Sequence, residues 1–191
     1  MSDVETIDLI FRGVGPLLMH NGRMADPLDP HAIKLATVTG KRAKTKADHE
    51  RMAQIEWYGS LWLWNSKPCL PPAVIEAVFV NGAKFKKRGS PARAGLMVDD
   101  PAMIDFDGPQ DLAEMWKDPT FRKRAGVRVR NARTMRTRPQ FPKWSARVHA
   151  TFLTTMLNHD EVVEYFSIAG AFVGVGDWRP KFGKFTVDKI E

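Results

Sequence analysis

Residues 144–190, WSARVHATFLTTMLNHDEVVEYFSIAGAFVGVGDWRPKFGKFTVDKI, read as strand, helix, glycine-rich turn and strand. Trp144, Ala146, Val148, Ala150 and Phe152 alternate with Ser145, Arg147, His149 and Thr151. A period of two with apolar residues on one side predicts a half-buried strand with a polar outer face. Asn158 and Glu161 have capping-box spacing, and Asp160 adds a favourable charge at that helix start. Val162, Val163, Phe166, Ala169, Gly170 and Val173 then recur at helical spacing. Gly174 and Gly176 end the helix, and Lys184–Ile190 predicts a last strand with Phe185 and Val187 on one face.

The other elements read less sharply. Ile7, Leu9 and Phe11 alternate with Asp8, Ile10 and Arg12, which predicts a strand over 4–12. Gly13, Gly15 and Pro16 interrupt it, and Leu17 to Met19 extend it past a bulge. Residues 20–45 carry two Asp-Pro turns and a basic cluster, which predicts a long irregular connection. Residues 46–64 predict a helix with Met52, Ile55 and Trp62 on one face. Pro71 and Pro72 suit the first turn of a second helix, with Val74, Ala77 and Val78 as its buried stripe and Gly89 as its cap. A strand falls within 94–103 and a short helix within 111–118. The expected organisation is one α+β domain over 1–191. Residues 20–90 form a helical and loop insertion between the first strand and the rest of the sheet.

Charge is concentrated. Phe121–Arg147 holds ten Lys or Arg and no Asp or Glu, in a chain of net charge +7, so the remaining residues sum to −3. Such a segment suits a polyanion. Val127-Arg128-Val129-Arg130 reads as a strand with arginines on one face, and Arg136 and Arg138 follow at the same parity if the strand is unbroken. Like-facing side chains on a strand lie ~6.8 Å apart, close to the phosphate spacing of an extended single strand. Arg133 and Lys143 complete this set, and Lys41, Arg42 and Lys44 form a second cluster. The bland alternative is a solvated edge strand whose charges discourage aggregation.

Gly174–Phe185, GVGDWRPKFGKF, is the other segment with chemistry. Gly174, Gly176 and Gly183 permit close backbone approach, Trp178 and Phe182 offer flat faces, and Arg179 and Lys181 offer charge. These are the parts of a single-strand site, stacking surfaces beside phosphate contacts. They equally suit a tight turn with Trp178 and Phe182 in the core.

The totals exclude several classes. One cysteine, Cys69, rules out an internal disulfide and a cysteine-rich zinc site. No Walker loop or GxSxG is present, and no residue set has a recognised metal-ligand pattern. No cofactor is implied. No run approaches the ~18–20 apolar residues of a membrane span. The N-terminus MSDVETIDLIFRG carries acids where a signal peptide needs a basic patch. The expectation is a soluble, cytoplasmic protein with no membrane partner.

The GxGxxRxxFGxF turn before the last strand resembles the glycine-rich loop of the RAMP superfamily of CRISPR proteins, and Gly13-Val14-Gly15-Pro16-Leu17 resembles the end of that group's opening strand. The resemblance implies a ferredoxin-like (RRM-like) βαββαβ sheet with helices on one face. It also implies a single-stranded RNA partner ahead of single-stranded DNA. The expected role is non-enzymatic binding by a homo-oligomer or a ribonucleoprotein subunit that coats or anneals a strand. An endoribonuclease of the same superfamily would use a histidine soon after the first strand, a place that His20 occupies. The RTRPxF and GxGDWRPxFG segments also look like those of uncharacterised bacteriophage-encoded proteins. That likeness leaves open a phage structural or protein-interaction subunit with the arginines at its interface.

Overall fold

A computed structural model describes residues 3–129 and 132–190. In chain order the strands and helices are β1 (Val4–Gly13), β2 (Leu17–Leu18), α1 (Pro30–Thr39), α2 (Lys46–Ser60), β3 (Leu63–Trp64), β4 (Lys67–Leu70), α3 (Pro72–Lys84), α4 (Gly89–Gly95), β5 (Leu96–Met97) and β6 (Ala102–Asp105). There follow α5 (Leu112–Lys117), β7 (Arg122–Val129), β8 (Ala132–Phe141), β9 (Ser145–Leu153), α6 (His159–Ile168) and β10 (Phe185–Lys189). The chain is mixed α+β, with antiparallel pairing throughout its registers. It divides into two compact units, one of residues 1–17, 63–107 and 142–191, the other of residues 18–62 and 108–141.

The first unit carries a sheet in the order β10-β1-β9-β6-β4-β3, with β5 paired to β9 beside β6. The alternations seen in the sequence set its two faces. Ile7, Leu9 and Phe11 of β1 and Ala146, Val148, Ala150 and Phe152 of β9 are all buried. Phe11 stacks on Phe185 of β10 at 4.4 Å between ring centroids and meets Phe166 of α6 at 5.1 Å. Phe166 in turn meets Phe79 of α3 at 4.8 Å, so α3 and α6 cover the apolar face. The opposite face is polar: Arg12 pairs with Asp188 at 2.5 Å, and Asp8 Oδ1 lies 3.2 Å from His149 Nδ1. The capping box of α6 forms as expected, with Asn158 and Glu161 each accepting the other's backbone N–H.

The second unit is built on α2 and the paired strands β7 and β8, with β2 joining β8. Trp57 is its fully buried centre: its Nε1 donates to the Phe121 carbonyl at 2.8 Å, and its ring meets Trp116 edge-on at 5.7 Å. Glu56, one residue earlier on α2, is 3% exposed and grips β8. Its Oε1 accepts from Arg136 Nη1 at 2.6 Å and its Oε2 from the Thr137 backbone N–H at 2.9 Å.

The sequence expectations need four corrections here. Residues 20–45 are not simply irregular, because Asp29 caps α1 by accepting from His31 N at 2.8 Å and Pro30 takes its first position. An Asp-Pro pair starts a helix as readily as it makes a turn. On α2 the buried face is Ala53, Glu56, Trp57 and Ser60; Met52 and Ile55 are half-buried, and Trp62, though buried, lies past the helix end. On α3 the buried stripe is Ile75, Val78, Phe79 and Ala83, and Ala77 is exposed. Gly89 opens α4 and does not close α3. Residues 18–62 belong to the second unit, and β3, β4 and α3 to the sheet-bearing one.

Candidate nucleic-acid interface

The two units differ sharply in charge. Residues 18–62 and 108–141 hold sixteen Lys and Arg against eight Asp and Glu, a net +8, whereas the sheet-bearing unit holds thirteen against fourteen, a net −1. The basic run at 121–147 is itself divided, because it crosses between the units at residues 141–142. Its part in the second unit is the ribbon of β7 and β8.

The ribbon changes how the arginines face. Strand β7 ends at Val129 and β8 begins at Ala132, with Arg128 directly opposite Arg133 and Ala125 opposite Arg136. Opposed residues share a face of an antiparallel pair, and alternate residues change face. Arg122, Arg124, Arg128 and Arg133 therefore lie on one face, and Lys123, Arg136 and Arg138 on the other. The single row of Arg128, Arg136 and Arg138 expected from parity does not form, because the strand is broken and turned back. Arg130 lies outside the described residues.

Several predicted contact residues are already engaged. Arg136 is bound to Glu56. Arg138 Nη1 donates to the Thr137 carbonyl at 3.5 Å. Lys41 Nζ donates to Asp48 Oδ1 at 2.5 Å, and Lys44 Nζ to the Lys41 carbonyl at 2.8 Å. Arg122 lies over the Trp116 ring at 4.7 Å. Arg42 is exposed. Beside the first ribbon face, Lys44, His49 and Met52 join Arg124, Arg133 and Met135 around a cleft of about 320 Å³. The cleft is lined by cations with an apolar floor. Arg124 and Met135 were not singled out in the sequence, and their approach to Arg133 is a product of the α2–β8 packing.

Asp48 anchors the Lys41–Lys44 segment. The Lys41 ammonium foremost, then the Thr45 backbone and hydroxyl donors, hold its carboxyl well below the ordinary 3.8. A depressed carboxylate contributes stability that is fully present above its unfolded value and lost as pH falls through its folded one. Thermal melts should therefore show an acid-labile contribution that begins to fade below about pH 4, and Asp48→Asn should remove that part of the pH profile. An unchanged profile in the variant would mean that the contact does not form.

In the sheet-bearing unit the glycine turn folds tightly on itself. Gly174, Gly176 and Gly183 all have positive φ, at 75°, 89° and 73°. Val175 N donates to the Gly183 carbonyl at 2.9 Å, and Gly183 N to the Pro16 carbonyl at 2.8 Å. Phe182 is buried in the unit, while Trp178 is 37% exposed and holds a positive φ of 55°. Arg179 and Lys181 are exposed, as is Lys143 before β9. Phe85 and Phe172 stand exposed beside Trp178.

His20 is exposed on the loop after β2. Among the described residues no group of three or more His, Cys, Asp or Glu could hold a metal ion. Cys69 is buried, and burial pushes its thiol up to about 11, so it is no ready nucleophile. Among the described residues no helix is long and apolar enough to cross a membrane. No protein-family model matches the chain, and no curated protein matches it.

Proposed function

We propose that the protein holds single-stranded nucleic acid by its phosphates, without cutting it, and assembles in several copies along the strand. The observation that carries this reading is the partition of charge, +8 on one unit against −1 on the other. Residues 122–141 contribute eight cations and no acid to that unit. A surface that repels itself this strongly is stabilised by a polyanion. RNA is placed ahead of DNA on the resemblance of the glycine turn to the RAMP superfamily.

For the other unit we propose a ferredoxin-like core. The path β10-β1-β9-β6, with α3 between β1 and β6 in sequence and α6 between β9 and β10, supports it. Strands β3, β4 and β5 are additions to that pattern. The outer sheet face does not serve as an RRM-type stacking platform in this reading. Thr6, Asp8, Ile10 and Arg12 of β1, and Arg147, His149 and Thr151 of β9, include no Phe, Tyr or Trp.

Fluorescence anisotropy of labelled RNA and DNA oligomers at several salt concentrations tests the proposal, with the same samples run on a denaturing gel. If about five phosphates are neutralised, log K should fall against log salt with a slope of roughly −3.5, and Arg124→Ala and Arg133→Ala should each reduce it by about 0.7. Absence of binding at low salt would overturn the proposal. Cleaved RNA that survives in the wild type and vanishes in His20→Ala would replace it with a nuclease.

A further inference from the structure

Three unusual features meet at one place in the sheet-bearing unit. First, the end of α6 widens. Ala169–Val173 form a π-turn in which Gly174 N donates to the Ala169 carbonyl at 2.8 Å, five residues back. Such turns interrupt a regular ladder at a cost and cluster at functional sites. Here the turn leaves Phe172 66% exposed. Second, Phe85, just past the C-terminus of α3, is 60% exposed and lies 6.0 Å from Phe172 between ring centroids. Third, Trp178 is held in the left-handed region that a bulky residue avoids, at φ 55°. Strain of this kind persists only where the surroundings over-determine it, and it collects at ligand sites.

The three rings line one open cleft of about 700 Å³, with Lys84 and Arg179 at its side. Asp177 also lines it, but its Oδ1 already accepts from the Trp178 backbone N–H at 3.0 Å. Lys84 Nζ rests on Asn81 Oδ1 at 2.9 Å, which places its charge along the cleft side of α3. Three exposed rings on a chain of this size are more than scattered surface apolarity and mark a binding surface. The two cations say what kind of surface it is. An apolar partner would leave the two cations only the Asp177 carboxylate as counter-charge, whereas a nucleotide brings a flat apolar base and an anion together.

We infer that this cleft takes an unstacked base of a single strand, stacked against Phe85, Phe172 and Trp178, with Lys84 and Arg179 on its flanking phosphates. The inference rests on the single-strand reading above and adds to it base contact without sequence readout. The basic ribbon supplies charge, and the cleft supplies a stacking face that every base can use. Affinity then depends on the presence of bases as well as on phosphate count.

The test compares a labelled oligoribonucleotide with an abasic strand of the same length and charge. Wild-type protein should bind the normal strand about 5- to 150-fold more tightly than the abasic one, the range for one stacked base. Phe172→Ala and Phe85→Ala should erase most of that difference while leaving abasic binding and the salt slope unchanged. Both rings are exposed, so loss of fold is not expected, and an unchanged melting midpoint would verify it. Equal, salt-sensitive binding of the two strands, indifferent to the variants, would overturn the cleft and keep the phosphate reading. Binding of neither strand would overturn both.

Discussion

Gly183→Ala should lower the stability of the sheet-bearing unit by about 2 to 5 kcal/mol. Gly183 sits at φ 73°, where a Cβ costs roughly 1–2 kcal/mol. The new methyl would also overlap the Val175 carbonyl oxygen and press on the Val175 backbone carbon and nitrogen at 2.7 and 2.9 Å. Those atoms cannot swing away like the tip of a side chain. Val175 N is tied to the Gly183 carbonyl and Gly183 N to Pro16, so relief means parting the turn from the end of β1. Overpacking against fixed neighbours adds ~1–3 kcal/mol. In a chain of this length the midpoint would fall by about 4–20 °C. Gly15→Ala is the control: no atom lies within 4 Å of its new Cβ, and its cost should stay within about 0.5 kcal/mol. Equal melts for the two variants would show that the turn is not fixed. If the glycine turn is a structural clasp, its glycines act on ligand binding only by shaping the cleft beside Trp178.

That distinction was half legible in the sequence. The alternations in β1 and β9 and the capping box of α6 were readable because each is a local pattern of period two, or of fixed spacing, repeated several times. The exposure of Phe85 and Phe172 was not, since both sit in runs that continue a helical pattern. What exposes Phe172 is the π-turn, an offset of one residue that no periodicity announces. The basic ribbon shows the same limit. Eight cations between Arg122 and Phe141 are plain in the sequence, but their division between two faces depends on where the strand reverses. Nothing nearby in sequence marks Arg136 as a structural residue either, because its partner Glu56 is 80 positions away.

Glu56→Ala should cost the second unit about 3 kcal/mol, near the low end for breaking a buried ion pair. Both carboxylate oxygens are in use, and the loss leaves the buried Thr137 N–H without an acceptor, a penalty of ~1–3 kcal/mol. Arg136 retains 30% side-chain exposure and recovers part of its hydration, which keeps the total below the deepest cases. Glu56→Gln, which can still accept from Thr137, should cost about half as much. Denaturant titrations followed at Trp57 and Trp116 fluorescence check both values. The variant also separates two accounts of binding, because removal of Glu56 raises the net charge of this unit by one. If affinity followed charge alone, Glu56→Ala would bind single strands more tightly at low salt. If the cations act as a surface held by α2 against β8, binding should weaken by about tenfold despite the added charge, since a loosened ribbon must be ordered again on the strand. Tighter binding with the expected stability loss would mean that the basic segment works as a diffuse polycation. Weaker binding would mean that the buried carboxylate of α2 sets the geometry with which the arginines meet phosphate.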